Sequence, residues 1–234
     1  MRAALLWAMM IWLAVSAPLA AQTRPVVVEL FTSQGCSSCP PADAFLLETL
    51  APRSDVIALA LHVDYWDYLG WKDHFASPQF TKRQKAYANA AGQRTIYTPQ
   101  MIIGGVQHVV GTHPKEVLAH IQRQSEAPQR VRLGLTRQGD AVRLRLENLM
   151  PSQTMPVDVF MVRYLASEEV EITRGENAGR QVTYANIVTD WRQLLMWDMA
   201  EPVALRVPVT GDEPIAVIVQ QHGHGPILAA AQLR

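Results

Sequence analysis

The chain has 234 residues, of which 49% are hydrophobic and 18% are charged. That much apolar material supports one large domain or two small ones, and it excludes an intrinsically disordered chain. Lysine plus arginine and aspartate plus glutamate both number 21, so no net charge attracts a polyanion, and we expect no nucleic-acid partner.

Residues 1–21 are typical of a secretory signal peptide. An apolar run from Ala3 to Val15 follows a basic start, and small residues precede a cleavage site near Ala20 or Ala21. An uncleaved anchor is the alternative, because a leucine stands three residues before a cut at Ala21. No later segment has the roughly 20 apolar residues that a membrane span needs. We therefore expect an exported, periplasmic protein with no span after signal cleavage, in a compartment that permits disulfides.

Strand and helix patterns alternate over residues 22–125. Short apolar, β-branched runs predict strands at VVVELF, DVIALALHVDYW, PQMIIGG and VQHVVG. Helical spacing of apolar residues predicts a helix at PPADAFLLETL, and an opening proline predicts helices at PQFTKRQKAYANAAG and HPKEVLAHIQRQ. The order of these elements predicts an α/β domain with a small central sheet.

The pattern changes in residues 126–234. VRLGLTRQGDAVRLRLEN alternates apolar and polar residues on both sides of a Gly-Asp turn, which predicts a hairpin with one wet face. Five further strand candidates follow, separated by proline, glycine and charged turns. We predict an all-β, sandwich-like domain of about seven strands.

The stretch ELFTSQGCSSCPPAD holds both cysteines of the chain, Cys36 and Cys39. The strand before them ends by Phe31, so Cys36 is expected at or just before a helix N-terminus. The helix dipole and free N–H groups there lower a thiol pKa from its usual value of about 8.5. Cys39, one turn further, can attack a mixed disulfide formed at Cys36. The pattern predicts a redox-active dithiol that cycles through a Cys36–Cys39 disulfide.

Two other interpretations of these cysteines remain open. In the first, a non-catalytic scaffold keeps a permanent disulfide, although so short a loop removes little entropy from the unfolded chain. In the second, the same cysteines carry copper(I) or zinc, although a closed zinc site needs two further ligands and the chain has no second C-x-x-C. We expect no resident metal and no other cofactor.

The stretch IYTPQMIIGG places Thr98 and Pro99 directly before a predicted strand. Together with a C-x-x-C on the first helix, this dipeptide predicts a cis proline whose turn faces the dithiol. The Thr98 backbone would then be free to pair with an extended peptide.

The loop LHVDYWDYLGWKDHF is rich in aspartate, histidine and aromatic residues. It leaves the carboxyl end of the second predicted strand, the edge at which open α/β sheets bind ligands. His62, Asp64, Trp66 and Asp67 could form a pocket wall beside Cys36, and the alternative is an aromatic loop that packs the two domains together. The histidines of QQHGHGP are predicted to lie in a surface turn.

Four motifs carry a family resemblance: ELFTSQGCSSCPPAD, HVDYWDYLGWKD, YTPQMIIGG and RGENAGRQVTYANIV. In this order they resemble a thioredoxin-fold domain and, more closely, the bacterial exported family catalogued as domain of unknown function 1223, over nearly the whole mature chain. The resemblance implies a thioredoxin-like fold and a thiol–disulfide oxidoreductase. Cys36 would be the nucleophile, Cys39 the resolving thiol and Pro99 the cis proline. The implied substrate is a protein or small thiol or disulfide, with an unknown redox partner.

The sequence also departs from thioredoxin. Ser37 and Ser38 replace a Gly-Pro pair, so the redox direction stays open. Thioredoxins carry a buried carboxylate six residues before the first cysteine, whereas Glu29 lies seven before Cys36. Glu29 is a candidate proton acceptor for Cys39, but an offset of one residue on a strand reverses the side that a side chain faces, unless the loop absorbs it.

Overall fold

The computed structural model describes residues 24–234, so the predicted signal peptide lies outside the described residues. The helices are α1 (Pro40–Phe45), which continues into a π-helical turn (Leu46–Leu50), α2 (Pro78–Ala90) and α3 (Pro114–Ser125). The strands are β1 (Val26–Thr32), β2 (Val56–His62), β3 (Gln100–Ile103), β4 (Gln107–Val110), β5 (Val131–Gln138), β6 (Ala141–Asn148), β7 (Val157–Ile172), β8 (Arg180–Trp197), β9 (Val203–Pro208), β10 (Ile215–Gln221) and β11 (Ile227–Leu233).

α2 and α3 begin at Pro78 and Pro114, the prolines that the sequence analysis placed at helix starts, and α1 begins at Pro40. Proline is favoured there because its fixed φ suits the first turn and its missing N–H would have no helical partner. Ser77 also caps α2, since its hydroxyl accepts the Gln79 N–H over 3.2 Å. Within residues 24–234, no helix has both the length and the apolar character that crossing a membrane would require.

Eight strands form one sheet in the order β11-β10-β7-β8-β2-β1-β3-β4, and β5, β6 and β9 form a second sheet. β1 runs parallel to β2 and antiparallel to β3. β8 runs parallel to β2, with Ala60 opposite Ile187. The larger sheet therefore takes four strands from each side of residue 125.

The predicted fold class is wrong. The protein is mostly β, with 44% strand and 18% helix, and it does not consist of an α/β thioredoxin-like N-terminal domain followed by an all-β sandwich-like domain. The reason is strand pairing: β7 and β8 are 16 and 18 residues long, and β8 reaches the free edge of β2. Sequence periodicity identifies a strand but not the strand beside it.

Hydrophobic side chains cover both faces of β1. Val28 and Leu30 pack with Ala42 of α1 and with Val117 and Ile121 of α3. The alternate residues of the strand pack on the opposite face, among Phe80 and Tyr87 of α2. Since successive side chains on a strand point to opposite faces, α1 and α2 lie on opposite sides of the sheet. This division decides which buried polar residues can reach the cysteines.

The second sheet packs against the far part of the first one. Leu133, Leu144 and Leu146 share a hydrophobic cluster with Val159 of β7 and Val217 of β10. Full burial of each such side chain contributes about 1.5–3 kcal/mol. This packing holds the long β7–β8 hairpin in place. The connection between its two strands reaches residues 33–39, which contain both cysteines and are called the cysteine loop below.

Candidate functional site

The two cysteines lie in the loop between β1 and α1 and form a disulfide. Ser37 and Ser38 between them are exposed, but Cys36 has only 3% of its surface exposed and Cys39 has none. Cys39 is the residue directly before α1, at the N-cap position of that helix. A substrate can therefore approach the disulfide only from the Cys36 side.

A chain of hydrogen bonds leads from an aromatic side chain to the Cys36 sulfur. The Thr98 hydroxyl donates to Cys36 Sγ over 3.2 Å. Its oxygen accepts the indole N–H of Trp66 over 2.7 Å. The Thr98–Pro99 peptide bond is cis, and the Ser38 hydroxyl lies 3.4 Å from the same sulfur. The fold thus brings together three of the predicted site residues, Trp66, Thr98 and Cys36.

Asn177, 141 residues after Cys36 in the sequence, holds the cysteine loop by hydrogen bonds. It lies in the connection between β7 and β8, is buried, and donates from Nδ2 to the carbonyls of Gln34 and Cys36, each over 2.9 Å. Sequence reasoning assigned this residue no role. The available signal was its place inside the motif RGENAGRQVTYANIV, which gave no indication of the partner.

The loop after β2 holds the cysteine loop from a second side. Asp73 accepts the Gln34 N–H at Oδ2 over 2.8 Å, and the Trp71 indole donates to Gln34 Oε1 over 2.8 Å. The same oxygen of Asp73 lies 2.7 Å from His62 Nδ1, and both side chains are fully buried. Burial acts to raise the pKa of Asp73, but the nearby His62 and the backbone N–H bonds lower it overall. Asp73 is therefore a charged anchor beneath the dithiol.

The predicted pocket residues serve different purposes. Trp66 contacts Thr98 and forms a wall of the dithiol site, with the exposed Tyr68 stacked on it at a ring distance of 6.4 Å. Asp64 instead accepts the Thr81 hydroxyl of α2 over 2.5 Å. Asp67 accepts the Asp73 N–H over 3.1 Å and shapes the loop. His62 lies behind the cysteine loop, where solvent does not reach it.

Glu29 faces away from the cysteines. It accepts Arg83 Nε over 2.5 Å and the Tyr87 hydroxyl over 2.6 Å, and both partners belong to α2. Arg83 also lies 3.8 Å above the Trp191 ring. The structure therefore places Glu29 in a buried ion pair on the face of β1 opposite α1 and Cys39, as the offset of one residue requires when the loop does not absorb it.

A different carboxyl group is buried on the α1 side. Asp43 accepts the Thr32 hydroxyl at Oδ1 over 2.8 Å. Burial raises the pKa of Asp43 to about 7, although His62 and the Thr32 hydrogen bond act to lower it. Sequence reasoning missed Asp43, although its position four residues after Cys39 on a predicted helix was a usable signal.

Polar atoms without hydrogen-bond partners collect beneath the cysteine loop. Among residues 24–234, seven buried side-chain atoms lack a partner, and four belong to this region: Gln34 Nε2, Asp43 Oδ2, His62 Nε2 and Asn177 Oδ1. Such atoms are rare in native interiors, so a cluster of them calls for an explanation.

Metal-binding side chains do not cluster in the described part of the chain. No group of three or more His, Cys, Asp or Glu residues there is arranged to hold an ion. His222 lies 2.9 Å from Asp158, and His224 packs against the Tyr87 ring. A metal at the cysteines would thus have two sulfur ligands and no third side chain from this set.

The fold and the site define a β-rich protein with a C-x-x-C disulfide clamped between two distant segments. The chain belongs to the family described as protein of unknown function (DUF1223), which matches residues 27–220.

Solved structures resemble the chain over most of its length. The crystal structure of protein AGR_C_4864 from Agrobacterium tumefaciens is 31% identical, with a TM-score of 0.77 and coverage of 92% of this chain and 96% of that one. HBP35 of Porphyromonas gingivalis is 15% identical, with a TM-score of 0.51 and coverage of 90% of this chain and 75% of that one, so the likeness concerns the fold alone. No curated protein matches the sequence.

Proposed function

We propose that the protein is an exported thiol–disulfide oxidoreductase that uses Cys36 and Cys39 on a protein or small-thiol substrate. One observation carries the proposal: the Thr98 hydroxyl is directed at the sulfur of Cys36, the cysteine that retains some exposure. A disulfide that serves only as a staple needs no donor at its sulfur. A sulfur that becomes a thiolate during exchange is stabilised by one.

The reaction is a two-step exchange. A substrate thiolate attacks Cys36 Sγ, a bond forms between the two sulfurs, and the Cys36–Cys39 bond breaks. Cys39 Sγ leaves with the electron pair and takes up a proton. A second substrate thiolate attacks the substrate sulfur of the mixed disulfide and releases Cys36 as a thiolate. The substrate loses two electrons and the protein gains a dithiol, and the reverse sequence reduces a substrate disulfide.

The redox titration of the purified protein tests this function. We would equilibrate it in glutathione buffers with metal chelated, and count free thiols by alkylation and mass. A reversible midpoint between about −120 and −270 mV, the range of dithiol oxidoreductases, is expected. A disulfide that stays intact well below about −300 mV would mark a structural bond and overturn the proposal.

Cysteine variants separate this function from its alternatives. Under exchange chemistry, Cys36→Ser abolishes dithiol turnover and Cys39→Ser accumulates mixed disulfides with substrate. The Ser37→Ala control keeps its turnover and accumulates no mixed disulfide. A copper(I) or zinc carrier would bind metal stoichiometrically when reduced and lose it in either cysteine variant. A scaffold would keep its biological function in both.

The export part of the proposal is supported by the sequence of residues 1–21. The protein would be expressed with this segment in a bacterial host, recovered from the periplasmic fraction and sequenced from its N-terminus. Cleavage near Ala20 or Ala21 is the expected result. Retention of the segment in the membrane fraction would favour the anchor instead.

A further inference from the structure

We propose that Asp43 donates a proton to Cys39 when the disulfide opens and takes it back when the disulfide closes. The inference rests on the proposed function and assigns Asp43 as a catalytic residue.

Asp43 lies one helical turn after Cys39. Asp43 follows Cys39 by four residues, and its N–H donates to the Cys39 carbonyl over 3.1 Å, as in a regular helical turn. Side chains with this spacing lie on one face, with Cβ atoms about 5–6 Å apart. Cys39 has no exposed surface and Asp43 has 3%. Bulk water therefore does not reach Cys39 directly, and a protein group must handle its proton.

One oxygen of the Asp43 carboxyl group has no hydrogen-bond partner in the described part of the chain. Thr32 occupies Oδ1, while Oδ2 has no partner among residues 24–234. An unpartnered carboxylate oxygen in the interior is costly, because burial penalises the charged form. Asp43 is thus poised between a neutral acid that can donate and a carboxylate that can accept, in keeping with its pKa of about 7.

Ionisable groups of three other segments surround Asp43: His62 of β2, Asp73 of the following loop and Tyr184 of β8. Burial has the largest effect and raises the pKa of Asp43, while His62 lowers it and Asp73 raises it. Burial raises the pKa of Tyr184 strongly, so its hydroxyl stays protonated, and its ring packs 4.9 Å from that of His62. Burial in these surroundings therefore brings the change of state of Asp43 close to neutral pH.

The proton balance follows the exchange steps. When a thiolate bonds to Cys36, Cys39 leaves with the electron pair of the broken S–S bond, and neutral Asp43 transfers its proton to Cys39 Sγ. In the reverse direction the Asp43 carboxylate removes this proton. The Cys39 thiolate then attacks Cys36 of the mixed disulfide and expels the substrate thiolate.

The test compares the rate at which a phosphine reductant opens the disulfide in the wild type and in Asp43→Asn, from about pH 5 to pH 9. The ionisation of the reagent cancels in the ratio of the two rates. The wild-type rate divided by the Asp43→Asn rate should be roughly a hundred at low pH, where Asp43 supplies a proton. This ratio should fall below one as the pH rises past neutrality, because the charged Asp43 then opposes the leaving thiolate. Asp158→Asn, another buried carboxylate, is the matched control and should follow the wild type at every pH.

A second variant decides the matter if Asp43→Asn does not fold. Thr32→Val removes the hydrogen bond that lowers the pKa of Asp43, so the pH midpoint of the reduction rate should move upward. An unchanged midpoint, or a rate ratio for Asp43→Asn that is constant with pH, would overturn the role of Asp43 and would leave the proposed function standing. A wild-type disulfide that neither phosphine nor glutathione opens would overturn the proposed function and this inference together.

Discussion

The Thr98 hydroxyl donates a hydrogen bond to Cys36 Sγ over 3.2 Å, across 62 positions of sequence. The Thr98 oxygen already accepts the Trp66 N–H, so the hydroxyl hydrogen is free to point at the sulfur. When the disulfide opens, the same hydrogen can bond to a thiolate, and hydrogen bonds to charged groups are roughly twice as strong as neutral ones.

Replacing Thr98 by valine should raise the pKa of the Cys36 thiol. A hydrogen bond to a charged group contributes about 1.5–3 kcal/mol, and about 1.4 kcal/mol corresponds to one pKa unit, so a rise of about one to two units is expected. The pH dependence of iodoacetamide alkylation of the reduced protein measures it. Thr98→Ser keeps the donor and should behave as the wild type. An unshifted profile in Thr98→Val would show that the hydroxyl does not act on the thiolate.

Replacing Asn177 by leucine should destabilise the protein by about 2–4 kcal/mol. Two hydrogen bonds are lost, and the buried carbonyls of Gln34 and Cys36 are left without this donor. Urea unfolding followed by fluorescence measures the change in the free energy of unfolding. The exposed Asn89 of α2 offers the matched control, and its change to leucine should stay within about 0.5 kcal/mol. Equal changes in the free energy of unfolding in the two variants would contradict a stabilising role of the Asn177 hydrogen bonds.

Glu29→Gln should lower the free energy of unfolding by about 3–5 kcal/mol, because it leaves the buried Arg83 unpaired. The redox midpoint of the cysteines should not change, since Glu29 lies on the other face of β1. The double variant Glu29→Gln with Arg83→Met should recover part of the stability. Urea unfolding and the glutathione titration report the two properties separately, and a shifted midpoint would refute this separation.

The stability of the wild type should fall as the pH rises from about 4 to about 7. The pKa of Asp43 is about 7 in the folded protein against an ordinary value of 3.8, so the folded state binds the proton more tightly across this window. The stabilisation is complete below pH 3.8 and is lost as the pH passes the folded pKa. Its upper limit is about 4 kcal/mol at 1.36 kcal/mol per unit.

Asp43→Asn should remove this decline, and urea unfolding at several pH values would detect it. The lowered pKa of Asp73 acts in the opposite sense, but its window lies below pH 3.8, so the two effects separate. A decline of the same size in Asp43→Asn would assign it to another group.

The sequence predicted local features better than partners. The buried runs of β1 and β2 and the helix starts at Pro78 and Pro114 follow from patterns that neighbouring residues set among themselves. The pairing of β8 with β2 was not predicted, because backbone hydrogen bonds between strands leave no mark in side-chain periodicity.

The same distinction between local features and distant partners applies to the candidate site. The spacing of Cys36 and Cys39, and the turn at Thr98, are visible in the sequence. Asn177 acts on backbone carbonyls, which every residue possesses, so no residue type near the cysteines signals its partner. The thioredoxin resemblance points to Glu29 as the buried carboxylate, whereas the helical spacing from Cys39 points to Asp43.

The hydrogen bonds from Asn177 to the cysteine loop can form only late in the synthesis of the protein. Cys36 precedes Asn177 by 141 residues, and β2 precedes its neighbour β8 by a similar length of chain. Because domains tend to fold from the N-terminus as they are synthesised, the two thiols emerge long before the segment that fastens their loop. The two thiols would then first be oxidised while their loop is not yet held by Asn177 and not yet buried by the folded chain.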